Sequence, residues 1–213
     1  MISNRLKSLV KYIKKSDKVI DIGCDHALLD IYLVKNGFLN KMIVSDIHKN
    51  ALQCGIDNIK KEGLLDKIDT RLGSGLEVLN NKDDINTVLI SGMGTSTILK
   101  ILDNDYRKKI DKLIIQSNND YYLLRKYITE LGYIITHEES IYDNSKYYVN
   151  IVFEKGNSEY SEEDLKYGPI LKSDKDYYKY LKEKYEDILK SIPNESNGKK
   201  EILNKIKELD KLI

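Results

Sequence analysis

The stretch Asp21-Ile22-Gly23-Cys24-Asp25-His26-Ala27 decides the fold. A short apolar run from Val19 to Ile22 enters a glycine, and a helical stretch from Ala27 to Lys35 follows. Glycine at the end of a first strand lets a ligand approach the backbone. The next helix N-terminus then adds free N–H groups and partial positive charge. A full GxGxxG is absent, because Asp25 stands where its second glycine would be. A carboxylate there repels a pyrophosphate and suits a ligand that carries an ammonium and a sulfonium. The turn thus favours S-adenosylmethionine over a nicotinamide dinucleotide. A tight turn with Asp25 capping the helix is the competing reading.

Outward from this turn, strands and helices alternate. Met42-Ile43-Val44 reads as a second strand ending near Asp46, Ile68–Leu72 as a third, Thr87–Ile90 as a fourth and Leu113-Ile114-Ile115 as a fifth. Helices are expected over 51–61, 98–102 and 121–131. A sixth strand begins at Tyr133, and a turn at Asp143-Asn144-Ser145 leads to a seventh over 147–153. So short a connection makes the last two strands antiparallel, since a parallel pair needs a long crossover. The expected fold is α/β, a doubly wound seven-stranded sheet. Five β-α repeats closed by a hairpin is the element order of class I S-adenosylmethionine methyltransferases.

The 213 residues suit one domain with a small appendage. Residues 1–156 read as the Rossmann-like ligand-binding domain and 157–213 as a helical hairpin or coiled coil. In the latter, Tyr177, Leu181, Tyr185, Ile188 and Ile192 form one stripe and Ile202, Ile206, Leu209 and Ile213 another. A turn-rich break over 193–198 separates them. Residues 4–15 read as a basic amphipathic helix. A formal charge of +1 excludes a polybasic tail but not a basic face. Two cysteines without a CxxC argue against a disulfide framework or a structural zinc site, and no metal is implied. No apolar run reaches membrane-spanning length, and the basic N-terminus lacks the apolar core of a secretory signal. A cytoplasmic protein, monomeric or weakly dimeric, is expected.

The strand ends carry the candidate site. Asp21, Gly23, Asp25 and His26 would surround the cofactor at the first turn. Asp46, about 25 residues after Asp21, would accept hydrogen bonds from the ribose hydroxyls. Ser74 and Gly75, after the third strand, would read the adenine edge. Gly92 and Met93, after the fourth, would face the transferred methyl, with Gly92 also bordering the cofactor. Asn118 offers donors and an acceptor to a nucleobase edge, although by sequence alone ordinary loop polarity is the better reading. Methylation of a ring nitrogen needs no nucleophile or base in the protein, because the ring lone pair attacks the methyl itself; positioning does most of the work.

These motifs, together with Arg5-Leu6, Arg71-Leu72-Gly73-Ser74-Gly75-Leu76, Leu113-Ile114-Ile115-Gln116-Ser117-Asn118 and Tyr167-Gly168-Pro169, resemble the bacterial tRNA adenine-22 N1-methyltransferase family over nearly the whole chain. The resemblance implies S-adenosylmethionine as methyl donor, tRNA as partner, and N1 of an adenine in the D-arm region as target. The family usually has tyrosine where Leu28 stands, proline where Asp30 stands, and Gly-Asp-Gly where Gly73-Ser74-Gly75 stands. It carries further glycine where Thr95 stands, proline where Ser117 stands, and often glutamate where Asp46 stands. A tRNA substrate would need cations for its phosphates, and Arg5, Lys7, Lys11 and Arg71 are the first candidates. A small-molecule methyltransferase, or a binding homologue with lost or altered turnover, are the alternative readings.

Overall fold

The computed structural model describes residues 2–192 and 197–213. Seven strands form one sheet: β1 (Val19–Ile22), β2 (Met42–Asp46), β3 (Ile68–Leu72), β4 (Thr87–Met93), β5 (Lys112–Ser117), β6 (Tyr133–Asp143) and β7 (Lys146–Lys155). Their order is β3-β2-β1-β4-β5-β7-β6. The first five are parallel, and β7 lies antiparallel between β5 and β6. The order reverses between β1 and β4, which opens a crevice at their carboxyl ends. The expected α/β sheet is thus present. β6 and β7 are longer than the sequence pattern indicated. They are joined by Asn144 and Ser145, both at positive φ, with Asp143 paired to Lys146.

Because β1 alternates across a doubly covered sheet, Ile20 and Ile22 enter one core and Val19 the other. On the Val19 face lie α1 (Asn4–Lys7), α2 (Leu28–Lys35) and α3 (Lys49–Lys61); on the other lie α4 (Thr95–Leu102) and α5 (Tyr121–Glu130). α1 is short. Ser3 caps it and Ser8 Oγ donates to the Arg5 carbonyl at 2.7 Å, after which the chain tightens into a 3-10 turn over Val10–Tyr12. The expected continuous helix over 4–15 is therefore two short pieces, which bury Leu9, Val10 and Ile13. Lys112 anchors this segment from β5, donating to the Tyr12 carbonyl and pairing with Asp17.

Beyond the sheet come α6 (Glu162–Tyr167), absent from the sequence reading, α7 (Lys175–Ser191) and α8 (Asn197–Leu209). Lys182 pairs with Asp210 at 2.6 Å and Lys175 Nζ donates to the Ile213 carbonyl at 2.8 Å, so α7 and α8 run antiparallel. Of the expected break over 193–198, residues 193–196 lie outside the described residues and 197–198 already belong to α8. Leu171, Tyr177, Tyr178 and Leu209 join the same hydrophobic cluster as Leu124 and Phe153, while Ile188 is exposed. A buried ion pair adds a polar tie. Arg125 Nε donates to Glu138 Oε1 at 2.7 Å and Arg125 Nη1 to the Leu165 carbonyl at 3.1 Å. Glu138 Oε2 accepts the N–H groups of Ile170 and Leu171, each at 3.0 Å.

Candidate functional site

A cavity of about 520 Å³ occupies the crevice at the carboxyl ends of β1, β2, β3 and β4. Its walls bring together Asp21, Gly23, Asp25, His26, Asp46, Ser74, Gly75, Gly92 and Met93, all singled out from sequence. Gly23 has φ +81°, and a Cβ there would lie 2.1 Å from Met93 Cε. The glycine is thus required twice, by backbone conformation and by the side chain opposite it. Asp25 (φ 48°) and Ala27 (φ 53°) also adopt left-handed conformations, so the turn concentrates strain where a ligand would contact it. Asp25 does not cap α2. Ala27 takes the N-cap position, and the Asp25 side chain is exposed beside His26, 3.7 Å from its Nε2.

Asp46 is fixed by two backbone donors. His48 N–H donates to Oδ1 at 2.8 Å and Asp25 N–H to Oδ2 at 3.3 Å. Each oxygen keeps acceptor capacity for a diol. Next to it Ile47 is 62% exposed and lines the same cavity, an apolar surface available to a flat ring. Sequence reasoning missed Ile47; an isoleucine directly after the second-strand acid was the available signal. Leu6, Leu28 and Ile101 extend this apolar wall.

The floor is unusual. Asp21 and Asp30 are both buried. Burial, then the charge of Asp21, raises the Asp30 carboxyl well above the carboxylate range. Burial pushes Asp21 up to about 7, with Asp46 adding to the shift and the hydrogen bond with Asp30 opposing it. Burial and then the three aspartates raise the Cys24 thiol far above its ordinary value, which removes it as a nucleophile.

β4 carries a bulge between Ser91 and Met93, with Gly92 at φ +79°. Asn118 docks on this bulge: its N–H donates to the Met93 carbonyl at 2.8 Å and its Nδ2 to the Gly92 carbonyl at 2.6 Å. It borders the cavity from outside rather than lining it. α4 starts at Thr95, earlier than expected, and Thr95 holds the same loop. Its N–H donates to Asn119 Oδ1 at 3.0 Å and its hydroxyl to the Asn119 carbonyl at 2.6 Å.

Arg5 is a wall residue. Its Nη1 donates to Gln116 Oε1 at 2.7 Å, its guanidinium sits 5.1 Å from the Tyr148 ring centroid, and a Cβ on Gly92 would lie 3.5 Å from Nη1. Gln116, fully buried, passes the chain on by donating to Asn150 Oδ1 at 2.6 Å; Asn150 Nδ2 donates to Ser8 Oγ at 2.7 Å. Gln116 is not among the residues that the sequence assigns to the site, although a polar residue ending the apolar run Leu113–Ile115 marks it. The remaining cation candidates lie elsewhere. Lys7 is exposed on α1, and Lys11 pairs with Glu139. Arg71 is committed to structure: its guanidinium donates to Asp69 at 2.7 Å, to Asp83 at 2.6 and 2.8 Å, and to the Val78 carbonyl at 3.0 Å. A guanidinium held by two carboxylates has few donors left over for a phosphate, so Arg71 stands apart from the other cation candidates.

No described helix is long and apolar enough to cross a membrane, and among the described residues no three acid, histidine or cysteine side chains are placed to hold a metal. A TrmK structure from M. capricolum in complex with S-adenosyl-homocysteine is 34% identical, with a TM-score of 0.86 over 99% of this chain and 97% of that one. The Streptococcus pneumoniae protein Sp1610, a putative tRNA (m1A22) methyltransferase solved with S-adenosyl-L-methionine, is 28% identical, with a TM-score of 0.89 over 100% and 99%. The tRNA (adenine(22)-N(1))-methyltransferase of Bacillus subtilis (strain 168) is 26% identical across 100% of this chain and 97% of its own length. The profile of the TrmK family, tRNA (adenine(22)-N(1))-methyltransferase, matches residues 19–212, and the chain belongs to that family.

Proposed function

We propose that this protein transfers a methyl group from S-adenosylmethionine to N1 of adenine 22 of tRNA, in the cytoplasm. The observation that carries the reading is the gathering of four separate strand-end motifs around one cavity at the switch point of the sheet. The residues present fit the methyl donor: a glycine turn whose backbone at Gly23 borders the cavity, an acid at the end of β2, an apolar wall beside it, and acidic groups around the first turn. When bound, S-adenosylmethionine supplies an electrophilic methyl on a sulfonium.

Asp46 accepts from the ribose hydroxyls, and Ile47 packs against the adenine ring whose edge Ser74 and Gly75 read. Asp21, Asp25 and His26 bind the amino-acid end. Gly92 and Met93 leave the methyl side open to the substrate. There Asn118 donates its Nδ2 to the Gly92 carbonyl and offers its Oδ1 as an acceptor. That acceptor suits the exocyclic amino group of adenine and so orients the neighbouring N1. Arg5, held by Gln116, lies across the same opening and contacts the target nucleotide. N1 lies on the Watson–Crick edge, so the adenine must leave any pair before it is methylated.

The test is transfer of label from radiolabelled S-adenosylmethionine into unmodified tRNA, followed by digestion to nucleosides. Labelled 1-methyladenosine, lost when adenine 22 of a transcript is replaced by guanine, is the expected result. Binding of S-adenosylmethionine without labelled tRNA would overturn the reading.

A further inference from the structure

Asp30 sits on the first turn of α2, directly behind the glycine turn, with none of its surface exposed. Its helical neighbours Leu29, Leu33 and Val34 are all buried, so the position is one where an apolar side chain would be expected. Instead a carboxyl lies within hydrogen-bonding reach of Asp21, on the side of the sheet covered by α2 and α3. Neither Asp30 oxygen has a partner when the group is taken as an ion, and Asp21 Oδ1 has none either. The other titratable groups acting on the pair are Asp46 from β2 and Cys24 from the turn. Neither is a cation, and no ion pair among the described residues reaches Asp21 or Asp30.

Two carboxylates cannot both ionise in contact, buried and without a cation, because neither has a proton to donate and each repels the other. One shared proton removes both objections. It turns two facing acceptors into an O–H···O bond and leaves a single negative charge on the pair. We propose that Asp30 is a neutral carboxylic acid that donates its proton to Asp21 and thereby fixes the Asp21 carboxylate in the cavity floor, aimed at the cationic end of the methyl donor. Asp30 is a positioning residue. It touches no ligand and acts through Asp21, which lines the cavity. The role rests on the methyltransferase reading, but the proton itself does not. The direction in which burial shifts both carboxyls agrees with it.

The test uses two substitutions and one spectrum on the full chain. In Asp30→Asn the amide Nδ2 donates to Asp21 as the acid does. In Asp30→Leu the shape is filled but no donor remains. Calorimetric titration with S-adenosylmethionine is expected to give near-native affinity for the asparagine variant. The leucine variant should bind about tenfold more weakly, the loss of one hydrogen bond to a charged group. A merely structural, space-filling role predicts the reverse order, and that result would overturn the proposal. The infrared spectrum at neutral pH is expected to carry the C=O stretch of a protonated buried carboxyl, absent in Asp30→Asn; its absence in the native protein would also overturn it. This band is read whether or not the leucine variant folds. It is also independent of ligand, so a native protein that shows the band but does not bind S-adenosylmethionine would count against the proposed function and not against the shared proton.

Discussion

Thr95 Oγ1 lies 2.8 Å from Ser117 Oγ, joining the start of α4 to the end of β5 beneath the loop that carries Asn118. The two side chains thus contact each other at the carboxyl end of the sheet. Both hydroxyls also reach the Asn119 carbonyl, at 2.6 and 2.9 Å. The loop is therefore fixed by side-chain hydrogen bonds. Thr95→Val keeps the shape and removes the donor. Methyl transfer to tRNA is expected to fall several-fold and stability by about 1 kcal/mol, while the affinity for S-adenosylmethionine stays unchanged. Steady-state kinetics beside calorimetry separate the two effects, and an equal loss in both would contradict this division of labour.

Gly23→Ala tests the cradle. The substitution puts a methyl 2.1 Å from Met93 Cε at a residue with φ +81°. Binding of S-adenosylmethionine is expected to weaken at least tenfold and Tm to drop. Adding Met93→Ala relieves the steric clash but not the backbone strain, at about 1 kcal/mol, so the double variant should regain only part of the lost stability. Full recovery would mean that the left-handed conformation is unimportant.

Arg5 and Arg71 separate a site role from a structural one. If Arg5 contacts the target nucleotide as proposed, Arg5→Ala should lower methyl transfer at least tenfold with S-adenosylmethionine binding intact. Arg71→Ala should lower stability by about 1 kcal/mol through loss of the Asp69 and Asp83 contacts. It should leave tRNA affinity and its salt dependence unchanged. A flatter salt dependence for Arg71→Ala would restore it to the phosphate contacts.

The buried aspartates fix the sign of a pH effect on stability. A carboxyl raised by burial keeps its proton in the folded chain after the unfolded chain has lost it. The Asp21–Asp30 pair does so for its shared proton. Stability from this pair is thus complete below about pH 4 and declines as pH rises, with a slope of about 1.4 kcal/mol per pH unit for each proton retained. Asp30→Asn removes one titrating group. Its stability relative to the native protein should therefore grow from pH 4 to pH 8 in denaturant titrations. Parallel curves would show that Asp30 is ionised throughout.

The sheet is largely legible because continuous short apolar runs and glycine turns are local signals. Val19–Ile22, Met42–Asp46 and Leu113–Ile115 announce themselves by their apolar side chains. The cavity walls at the strand ends followed from that order. What stayed hidden depends on distant partners. Nothing near Arg71 in sequence marks Asp83 as the group that occupies its guanidinium, and nothing near Arg5 marks Gln116, which lies 111 positions away. α1 was read as longer than it is, because a continuous amphipathic stripe does not record that Ser8 closes the first turn. Asp30 was visible as a departure from the family pattern, but its consequence required knowing that Asp21 faces it.

The Arg125–Glu138 pair bears on modularity. A boundary drawn after residue 156 by element type would cut between Glu138 and the amides of Ile170 and Leu171, and between Arg125 and the carbonyls of Leu165 and Lys166. Excision of the helices would open this buried pair to water and strip each partner of the backbone groups that complete it. A transplant of the appendage onto another sheet would have to carry α5 and β6 positions with it. The sheet and its helical tail are therefore joined by a buried polar tie that straddles the seam, and a cut at that seam separates groups that satisfy one another.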